Sequence, residues 1–389
     1  MNKFDTAIIN GKIFKDDTET FSDGNIFIKK NTIVFSDDVI WKADRTIDAR
    51  QCYVVPGLID EHAHVHYQGS NLGMNADILC PPNGITTVVD AGTTGCDNFS
   101  LFYSANICRY VTNTLAYLNV APFGCEDGYR QSESLNPDDF NKEKIDALFS
   151  LYPSILRGLK IRLDKATLTD IYSLDSFVKC IEISTDLQKK GFHCVVAAHI
   201  ANLPPRIKLE DVVSMMRKGD ILVHAMQNRG ETIFNQDGTI KAAVLDAKRR
   251  GVIIDGCNGR IHWSFKNLEN AKAQNFVPDV ISSDTVFDSA FVKPGFSLLY
   301  AMNTYLTAGF SPEQIITAVT KKPSQVLGVS DKIGSLSRGY AADICILKLE
   351  NTVPLALFDR WGEERTAQRY FKPMVTMRNG KIIYRQIDF

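Results

Sequence analysis

The sequence predicts an α/β protein, a (β/α)8 TIM-type barrel with a small β-sandwich domain built from both termini. In the middle of the 389-residue chain, short apolar runs alternate with stretches of helical spacing, which indicates a parallel sheet. Both ends are rich in short strands and turns instead. Metal-capable side chains recur where the central runs end, the position of functional residues in such barrels. We therefore expect a metal-binding barrel over residues 56–333 and one sandwich domain formed by residues 1–55 and 334–389.

The terminal regions consist of strand-like runs separated by turn residues. The Asn-Gly pairs Asn10–Gly11 and Asn379–Gly380 favour hairpin turns, because both residue types tolerate positive φ. Since the two ends share this short-strand texture, we expect them to pair into one domain. The expected strands are Thr6–Asn10, Gly24–Lys29, Ile33–Ser36, Ala342–Leu347, Met374–Met377 and Lys381–Arg385.

The central runs are short and β-rich, as buried parallel strands are. Between them, segments such as Asp170–Lys190 and Ala242–Arg250 have helical spacing and charged faces. Ser311 followed by Pro312 and, three residues after the serine, Gln314 predicts a helix start. The chain has no Gly-x-Gly-x-x-Gly loop, which weakens the alternative of an open nucleotide-binding sheet. The runs are Ile85–Asp90, Thr114–Asn119, Gly158–Leu163, Cys194–His199, Ile221–His224, Val252–Asp255 and Val280–Asp284.

Composition narrows the classes of function. Lys and Arg number 44 and Asp and Glu 45, which gives a net charge of −1, so the chain lacks the basic surface of a general nucleic-acid binder. No uncharged apolar stretch is long enough to span a membrane, and the first residues have no signal-peptide core. Nine scattered cysteines without a Cys-x-x-Cys pair are typical of reduced cytoplasmic thiols. We expect a cytoplasmic protein with neither nucleic-acid nor membrane partners; association into a homo-oligomer stays open.

Three of the seven histidines lie close together after an apolar, strand-like run. They are His62, His64 and His66. Residues i and i+2 of a strand face the same side, so His62 and His64 project together, which suits two imidazoles on one metal ion. By itself, the His-x-His spacing is also compatible with two exposed or packed histidines that bind no metal ion.

Further metal-capable residues fall at the carboxyl ends of other runs. These are His199, His224 and Asp284. The intervals along the chain between His64, Lys160 and these three residues are close to whole numbers of βα units. This spacing places the candidates on strands 1, 4, 5, 6 and 8 of one barrel. The carboxyl ends of barrel strands form the catalytic face, so this regular placement favours a common site.

Lys160 lies within the run Gly158–Leu163. A lysine on a buried strand needs a partner or loses its charge. A neutral amine can react with carbon dioxide to give an anionic carbamate, which can bridge two cations. A salt-bridged lysine is the alternative.

These residues and two longer motifs resemble the amidohydrolase superfamily of metal-dependent hydrolases. The motifs are Pro56–Asp60, which precedes His62, and Gly84–Gly92. The resemblance covers nearly the whole chain and is strongest to the deacetylase-like and dihydroorotase-like branch. His199 with Pro204–Pro205, and His224 with the sequence up to Gly238, are similar to that branch.

The resemblance implies a binuclear metal site, most often containing zinc. It implies that His62, His64 and Asp284 bind the more buried ion and that His199 and His224 bind the second, with carboxylated Lys160 (N6-carboxylysine) as the bridge. Asp284 would also be the catalytic residue that moves a proton from the attacking water to the leaving group. The implied reaction is hydrolysis of an amide or ester bond in a small molecule, with a small N-acyl or O-acyl carboxylate as the favoured, deacetylase-like substrate.

The chain departs from its relatives at two positions. Dihydroorotases resemble the pattern His-x-His-x-Arg, and His66 occupies the arginine position here. The branch often has Gly-His-Gly after strand 7, and Asn258 replaces that histidine. D-Aminoacylases use a cysteine ligand after strand 2, which leaves Cys96 as a minor alternative. The candidate substrate contacts are His66, Asn119, Arg162, Asn228, Arg229, Asn258 and His262.

Two other functions stay open. A cyclic-amide hydrolase of dihydroorotase or hydantoinase type would use the same metals to open a ring, although His66 at the arginine position weighs against dihydroorotate. A non-catalytic scaffold relative is the other alternative. Such relatives typically lose metal ligands, whereas all six ligand positions carry a suitable residue here.

Overall fold

The terminal regions of the chain form one eight-stranded sheet. The computed structural model describes residues 2–35, 40–125, 133–168, 171–292 and 297–387. The strand order is β17-β16-β13-β5-β1-β2-β3, with β4 also paired to β1. Both ends of the chain therefore contribute to the same sheet, as predicted. The strands are β1 Asn2–Lys15, β2 Thr20–Lys29, β3 Thr32–Val34, β4 Trp41–Asp48, β5 Tyr53–Pro56, β13 Ile344–Glu350, β16 Tyr370–Arg378 and β17 Lys381–Arg385.

The two Asn-Gly pairs have different roles. Asn379–Gly380 joins β16 to β17 with positive φ at both residues, so that hairpin prediction is confirmed. The prediction at Asn10–Gly11 was wrong, because both residues lie inside β1. Asn10 has φ 55°, and the pairing of β1 with β2 shifts register between Ile8 and Gly11. A bulge uses the same left-handed conformation as a turn, so the dipeptide alone does not distinguish them.

A seven-stranded parallel sheet forms the centre of the molecule, with its strands in chain order from β6 to β12. Each predicted run from Ile85 to Asp255 overlaps one of these strands, although β7, β8 and β9 extend one or two residues beyond the predicted bounds. The strands are β6 Leu58–Ala63, β7 Ile85–Ala91, β8 Asn113–Asn119, β9 Leu156–Arg162, β10 Val195–His199, β11 Ile221–Val223 and β12 Ile253–Ile254.

The last of the predicted runs, Val280–Asp284, is not a regular strand. Two isolated parallel bridges flank it, Asp255 with Val280 and Ala63 with Thr285. This segment therefore lies between β12 and β6. Asp284 has φ 49°, outside the range of a strand, which explains why the ladder is interrupted.

Helices connect the central strands and follow them. Ser311 caps α10 as predicted: its hydroxyl accepts from the Gln314 amide at 3.2 Å, and the Gln314 side chain accepts from the Ser311 amide at 3.0 Å. The helix predicted over Asp170–Lys190 is α4, and Asp170 lies outside the described residues. The helices are α1 Ala76–Leu79, α2 Phe99–Ala105, α3 Lys142–Leu151, α4 Asp175–Lys189, α5 Leu209–Met215, α6 Ala242–Arg250, α7 Phe265–Ala273, α8 Phe287–Ala290, α9 Leu298–Thr307, α10 Pro312–Val319 and α11 Lys321–Val326.

The central strands are buried on both faces. Alternate residues such as Val196 and Ala198 of β10 belong to the large apolar cluster shared with the helices. Their neighbours Val195 and Ala197 belong to a second cluster with residues of other central strands. Burial on both faces explains why the sequence of these runs is mostly apolar.

A separate hairpin is inserted between β13 and β16. It consists of β14 Leu355–Phe358 and β15 Glu364–Ala367, which pair with each other. The Tyr300 hydroxyl, from α9, bonds both backbone groups of Phe358, at 2.7 and 2.8 Å. The hairpin is thus fixed against the helices.

All nine cysteines are free thiols. Among the described residues, no helix has both the length and the apolar character needed to cross a bilayer.

Substitution of Ser311 by Ala should lower the free energy of unfolding by about 1 kcal/mol, because it removes the N-cap acceptor of α10. Denaturant titration measures this effect. Ser150→Ala is the control, since the exposed Ser150 hydroxyl bonds only the Asp146 carbonyl within α3; it should change stability by less than about 0.5 kcal/mol. Equal effects of the two substitutions would contradict the capping argument.

Candidate metal centre

The predicted ligand positions converge at the carboxyl ends of the central strands. His62 lies near the end of β6, Lys160 in β9 and His199 at the last position of β10. His224 directly follows β11, and Asp284 ends the segment between β12 and β6. Because the strands are parallel, these ends meet on one side of the sheet.

The first group of donors consists of His62, His64 and Asp284. Nε2 of each histidine lies 3.4 Å from the same oxygen, Oδ1 of Asp284. The three donor atoms lie within 4.8 Å of one another. Both histidines are buried, and Asp284 is 15% exposed. Two imidazoles and one carboxylate facing a common point are a donor set that suits zinc.

A second group is formed by three histidines. Nε2 of His224 lies 2.9 Å from Nδ1 of His199. The His262 ring centroid is 4.1 Å from that of His224 and 5.1 Å from that of His199. Donor atoms of all three residues lie within 4.8 Å of one another. Sequence reasoning treated His262 as a substrate contact, whereas its position also allows it to donate to a metal ion.

Contacts behind the histidines fix the orientation of their rings. His64 Nδ1 lies 2.8 Å from the Thr93 hydroxyl, which donates to Asp90 at 2.7 Å. His224 Nδ1 lies 3.0 Å from the Cys257 carbonyl. Such contacts leave the other ring nitrogen free for a metal. Sequence reasoning did not assign Asp90 this role, although it falls within the Gly84–Gly92 motif.

Lys160 lies among these groups. Its Nζ is 3.2 Å from Nε2 of His62, and the side chain is buried. Gly92, with φ 81°, allows this position, because a Cβ there would lie 2.7 Å from Cβ of Lys160. Burial lowers the pKa of Lys160 below its ordinary value, which favours the neutral amine.

The protonation states suit metal binding. Burial lowers the pKa of His62 to about 3 and that of His262 to about 4. It also holds the pKa values of His199 and His224 well below the ordinary value. Burial opposes ionisation of Asp284, but its hydrogen bonds with His62 and His64 hold its pKa well below the ordinary value. Neutral imidazoles and an ionised carboxylate are the forms that bind metals.

Two of the donors have strained backbones. His224 has φ 66° and Asp284 φ 49°, in the left-handed region that non-glycine residues rarely adopt. Such conformations cost on the order of 1–3 kcal/mol and cluster at functional sites. Gly259, with φ 51°, packs against Asp284 and His262, because a Cβ there would lie 2.6 Å from Oδ2 of Asp284 and 3.0 Å from Cδ2 of His262.

A cavity of about 620 Å³ opens above the donors. Two of the predicted substrate residues, Arg162 and His262, line it. Arg162 forms an ion pair with the buried Glu133. The other charged residues at the rim of the cavity include Arg260, Asp288 and Arg360. The donors that line its floor are His62, His64, Lys160, His199, His262 and Asp284.

The other predicted substrate residues do not line this cavity. The His66 ring packs 4.8 Å from Phe102; β6 ends at Ala63, so the strand alternation does not extend to His66. Asn119 donates to Glu133 at 2.5 Å, and Asn258 donates to the Thr304 hydroxyl at 3.0 Å. Asn228 and Arg229 lie in the loop after His224, where the Arg229 amide donates to Gln227.

Cys96 lies outside the donor groups found among the described residues. Its thiol donates to Asp97 at 3.6 Å, and burial raises its pKa to about 11. A different cysteine lies near the donors. The Sγ atom of Cys257, which sequence reasoning did not single out as a ligand, and donor atoms of His62 and His224 lie within 4.8 Å of one another. Burial holds the pKa of the Cys257 thiol well above its ordinary value, which disfavours the thiolate that a metal requires.

Comparison with known proteins agrees with this geometry. The profile of the Amidohydrolase family matches residues 257–383. A deacetylase of Enterococcus faecalis is 26% identical over 331 residues, which cover 85% of this chain and 86% of that protein. A deacetylase of Agrobacterium fabrum is 24% identical over 327 residues, with coverage of 84% and 78%.

Solved structures share the fold. The crystal structure of an adenine deaminase superposes with a TM-score of 0.89 at 25% identity and covers 98% of this chain and 100% of its own. That of a dihydroorotase gives a TM-score of 0.85 at 22% identity, with coverage of 98% and 99%. These matches confirm the resemblance to the amidohydrolase superfamily that the motifs indicated, and they support a hydrolase that acts on carbon–nitrogen bonds.

Substitution of Thr93 by Val should weaken metal binding by about 10- to 100-fold, because it removes the partner that orients the His64 ring. Metal content after dialysis against a chelator series measures this change. Thr114→Val is the control, since Thr114 is also buried but its hydroxyl donates to the Thr112 carbonyl and, within the described part of the chain, to no side chain of the site. Unchanged metal retention in Thr93→Val would show that this contact does not orient a ligand.

Proposed function

We propose that the protein is a binuclear metal-dependent hydrolase that removes a small acyl group from an N-acyl or O-acyl carboxylate, as a deacetylase does. The observation that carries this proposal is the convergence of two donor groups and Lys160 beneath one cavity. The two relatives named deacetylase, each aligned over more than four fifths of this chain, support the same reaction class.

The donor set fits a pair of divalent ions, with zinc the preferred metal. We assign His62, His64 and Asp284 to one ion and His199 and His224 to the other. Imidazole nitrogens with a few carboxylate oxygens suit zinc better than magnesium or calcium. When bound, such ions polarise a scissile carbonyl and acidify water.

Lys160 is proposed to carry a carbamate, as N6-carboxylysine, that bridges the two ions. Its Nζ lies 3.2 Å from His62 Nε2, within the space between the donor groups. Carbamate formation requires a neutral amine, which burial favours here. The added carboxylate would supply the negative charge that four neutral imidazoles lack.

Asp284 is proposed to move the proton. Its Oδ1 contacts His62 and His64, while its Oδ2 lies 3.8 Å from His262 and 3.9 Å from His224. One oxygen can therefore hold the carboxylate in place while the other accepts a proton from the attacking water. As the acyl carbon–nitrogen or carbon–oxygen bond breaks, the same proton passes to the leaving amine or alcohol.

Three further points belong to this proposal. The seven parallel strands and the segment Val280–Asp284 would close a (β/α)8 barrel over residues 56–333, supported by the two bridges that flank the segment. Residues 1–55 and 334–389 would form the sandwich domain. The enzyme would act in the cytoplasm.

Lys160→Ala and Asp284→Asn should each reduce hydrolysis of an active acyl substrate by about 1,000-fold or more, because they remove the bridge and the proton carrier. Acetate release from a panel of N-acetyl amino acids and O-acetyl hydroxy acids is the assay. The exposed residues Lys165 and Asp237 provide controls, and Lys165→Ala and Asp237→Asn should retain full activity.

Hydantoins, dihydropyrimidines and dihydroorotate belong in the same panel, because ring opening is the alternative reaction. Hydrolysis of these compounds alone would replace deacylation by cyclic-amide hydrolysis. Substantial activity in Lys160→Ala or Asp284→Asn would overturn the mechanism. Purified protein with almost no transition metal and no activity would favour a non-catalytic scaffold.

A further inference from the structure

The tip of the β14–β15 hairpin, residues 359–363, reaches the mouth of the metal cavity. Asp359, Arg360 and Gly362 line that cavity, although they belong to an insertion between two strands of the terminal sheet. Trp361 is 46% exposed. The rim of the site is therefore built partly by a segment outside the central parallel sheet.

The hairpin tip is anchored to the first two turns of α7, the helix that follows the loop after β12. The Phe265 amide donates to Oδ2 of Asp359 at 3.1 Å. Arg365 of β15 pairs with Glu269 of α7 at 2.8 Å, and its guanidinium lies 5.2 Å from the centroid of the Phe265 ring. These contacts hold Arg360 in a defined position relative to that loop.

The same loop carries Arg260 next to the catalytic aspartate. Its neighbour Gly259 lies so close to Asp284 that a Cβ there would be 2.6 Å from Oδ2. Arg260 follows this contact directly and lines the cavity. Arg260 and Arg360 thus reach one cavity from two separate segments.

The acidic residues of the cavity are engaged elsewhere. Glu133 pairs with Arg162, and Asp284 lies among the histidines. Asp359 accepts the amides of Phe265, Trp361 and Glu363, and Asp288 has a partner of its own.

Among the described residues, neither Arg260 nor Arg360 has an ion pair or a side-chain hydrogen bond. Within the described parts of the chain, these two guanidinium groups therefore have no protein anion as a partner, and both residues line the space in which a substrate would lie.

We propose that Arg260 and Arg360 form a carboxylate clamp, and that the substrate carries its anionic group at the end remote from the scissile bond. Arginine suits this role because its planar fork donates two parallel hydrogen bonds to one carboxylate. The clamp rests on the proposed function for the reaction performed, but its evidence is the position of the two arginines. Arg162, one of the candidate substrate contacts from the sequence, is already paired with Glu133.

Binding of unreactive probes tests the clamp without turnover. The probes are N-methanesulfonyl-alanine and N-methanesulfonyl-phenylalanine, both enantiomers, and their carboxamides; the sulfonamide bond resists hydrolysis. Calorimetric titration of the metal-loaded full chain should give at least about tenfold tighter binding of the better carboxylate than of its carboxamide, as expected for a charge-assisted pair.

Variants of the two arginines test whether Arg260 and Arg360 cause the preference for the carboxylate probe. In Arg260→Met and Arg360→Met, binding of the carboxylate should weaken by about tenfold or more, while binding of the carboxamide should change less than about threefold. Arg260→Lys and Arg360→Lys keep the charge without the fork and should retain part of the preference. Arg369→Met is the matched control, since Arg369 is exposed and does not line the cavity; it should bind like the wild type.

Three outcomes would overturn the clamp: no carboxylate probe binds, the wild type shows no carboxylate preference, or either methionine variant keeps the preference. Melting temperatures close to that of the wild type exclude misfolding of the variants. Failure of the proposed function would give a different experimental result from failure of the clamp. A protein that prefers carboxylates but hydrolyses no acyl substrate would refute deacylation and leave the clamp standing, whereas hydrolysis without the preference would do the reverse.

Discussion

The attachment of Asp284 to the first central strand is the constraint on which the rest of the structure depends. The Asp284 amide donates to the His62 carbonyl at 2.6 Å, and the His64 amide donates to the Thr285 carbonyl at 3.0 Å. These bonds hold the segment after Val280 against the end of β6. The positive φ of Asp284 ends the regular ladder there, and its carboxylate meets the rings of His62 and His64. The same few atoms therefore join the two ends of the sheet and complete a donor group.

Buried acids hold this segment from both sides. Asp60 of β6 accepts from the amide and hydroxyl of Ser283, at 3.0 and 2.6 Å. Asp255, after β12, accepts from the Ser282 hydroxyl. Burial raises the pKa of Asp60 to about 7 and that of Asp255 to about 8. Burying a carboxyl group is costly unless it is hydrogen-bonded, and the serines provide those bonds. The floor of the site is thus held by a polar network inside an otherwise apolar sheet.

The rim of the site has a different origin from the floor. Apart from His262 and Asp284, the floor donors lie on strands or directly after them, where the backbone ladder restricts their positions. The rim comes from connecting segments and from the β14–β15 hairpin, whose contacts with Phe265 and Glu269 bring Arg360 to the cavity. Segments of this kind tolerate change far better than strands do. The same set of donors can therefore serve different substrates when the rim changes, which is why the two arginines bear on the choice of substrate.

The sequence alone determined the features that depend on local period and burial. Continuous apolar runs identified the central strands, and the residues that end them, such as His199 and His224, were recognisable as candidates for one site. The motif at Ser311 located the start of α10 for the same reason, since a cap depends only on neighbouring residues. Only the tertiary structure decided that Asn10–Gly11 is a bulge, that His66 packs away from the cavity and that Arg360 reaches it. Each of these outcomes depends on contacts between residues far apart in the chain, and local patterns carry no information about such distances.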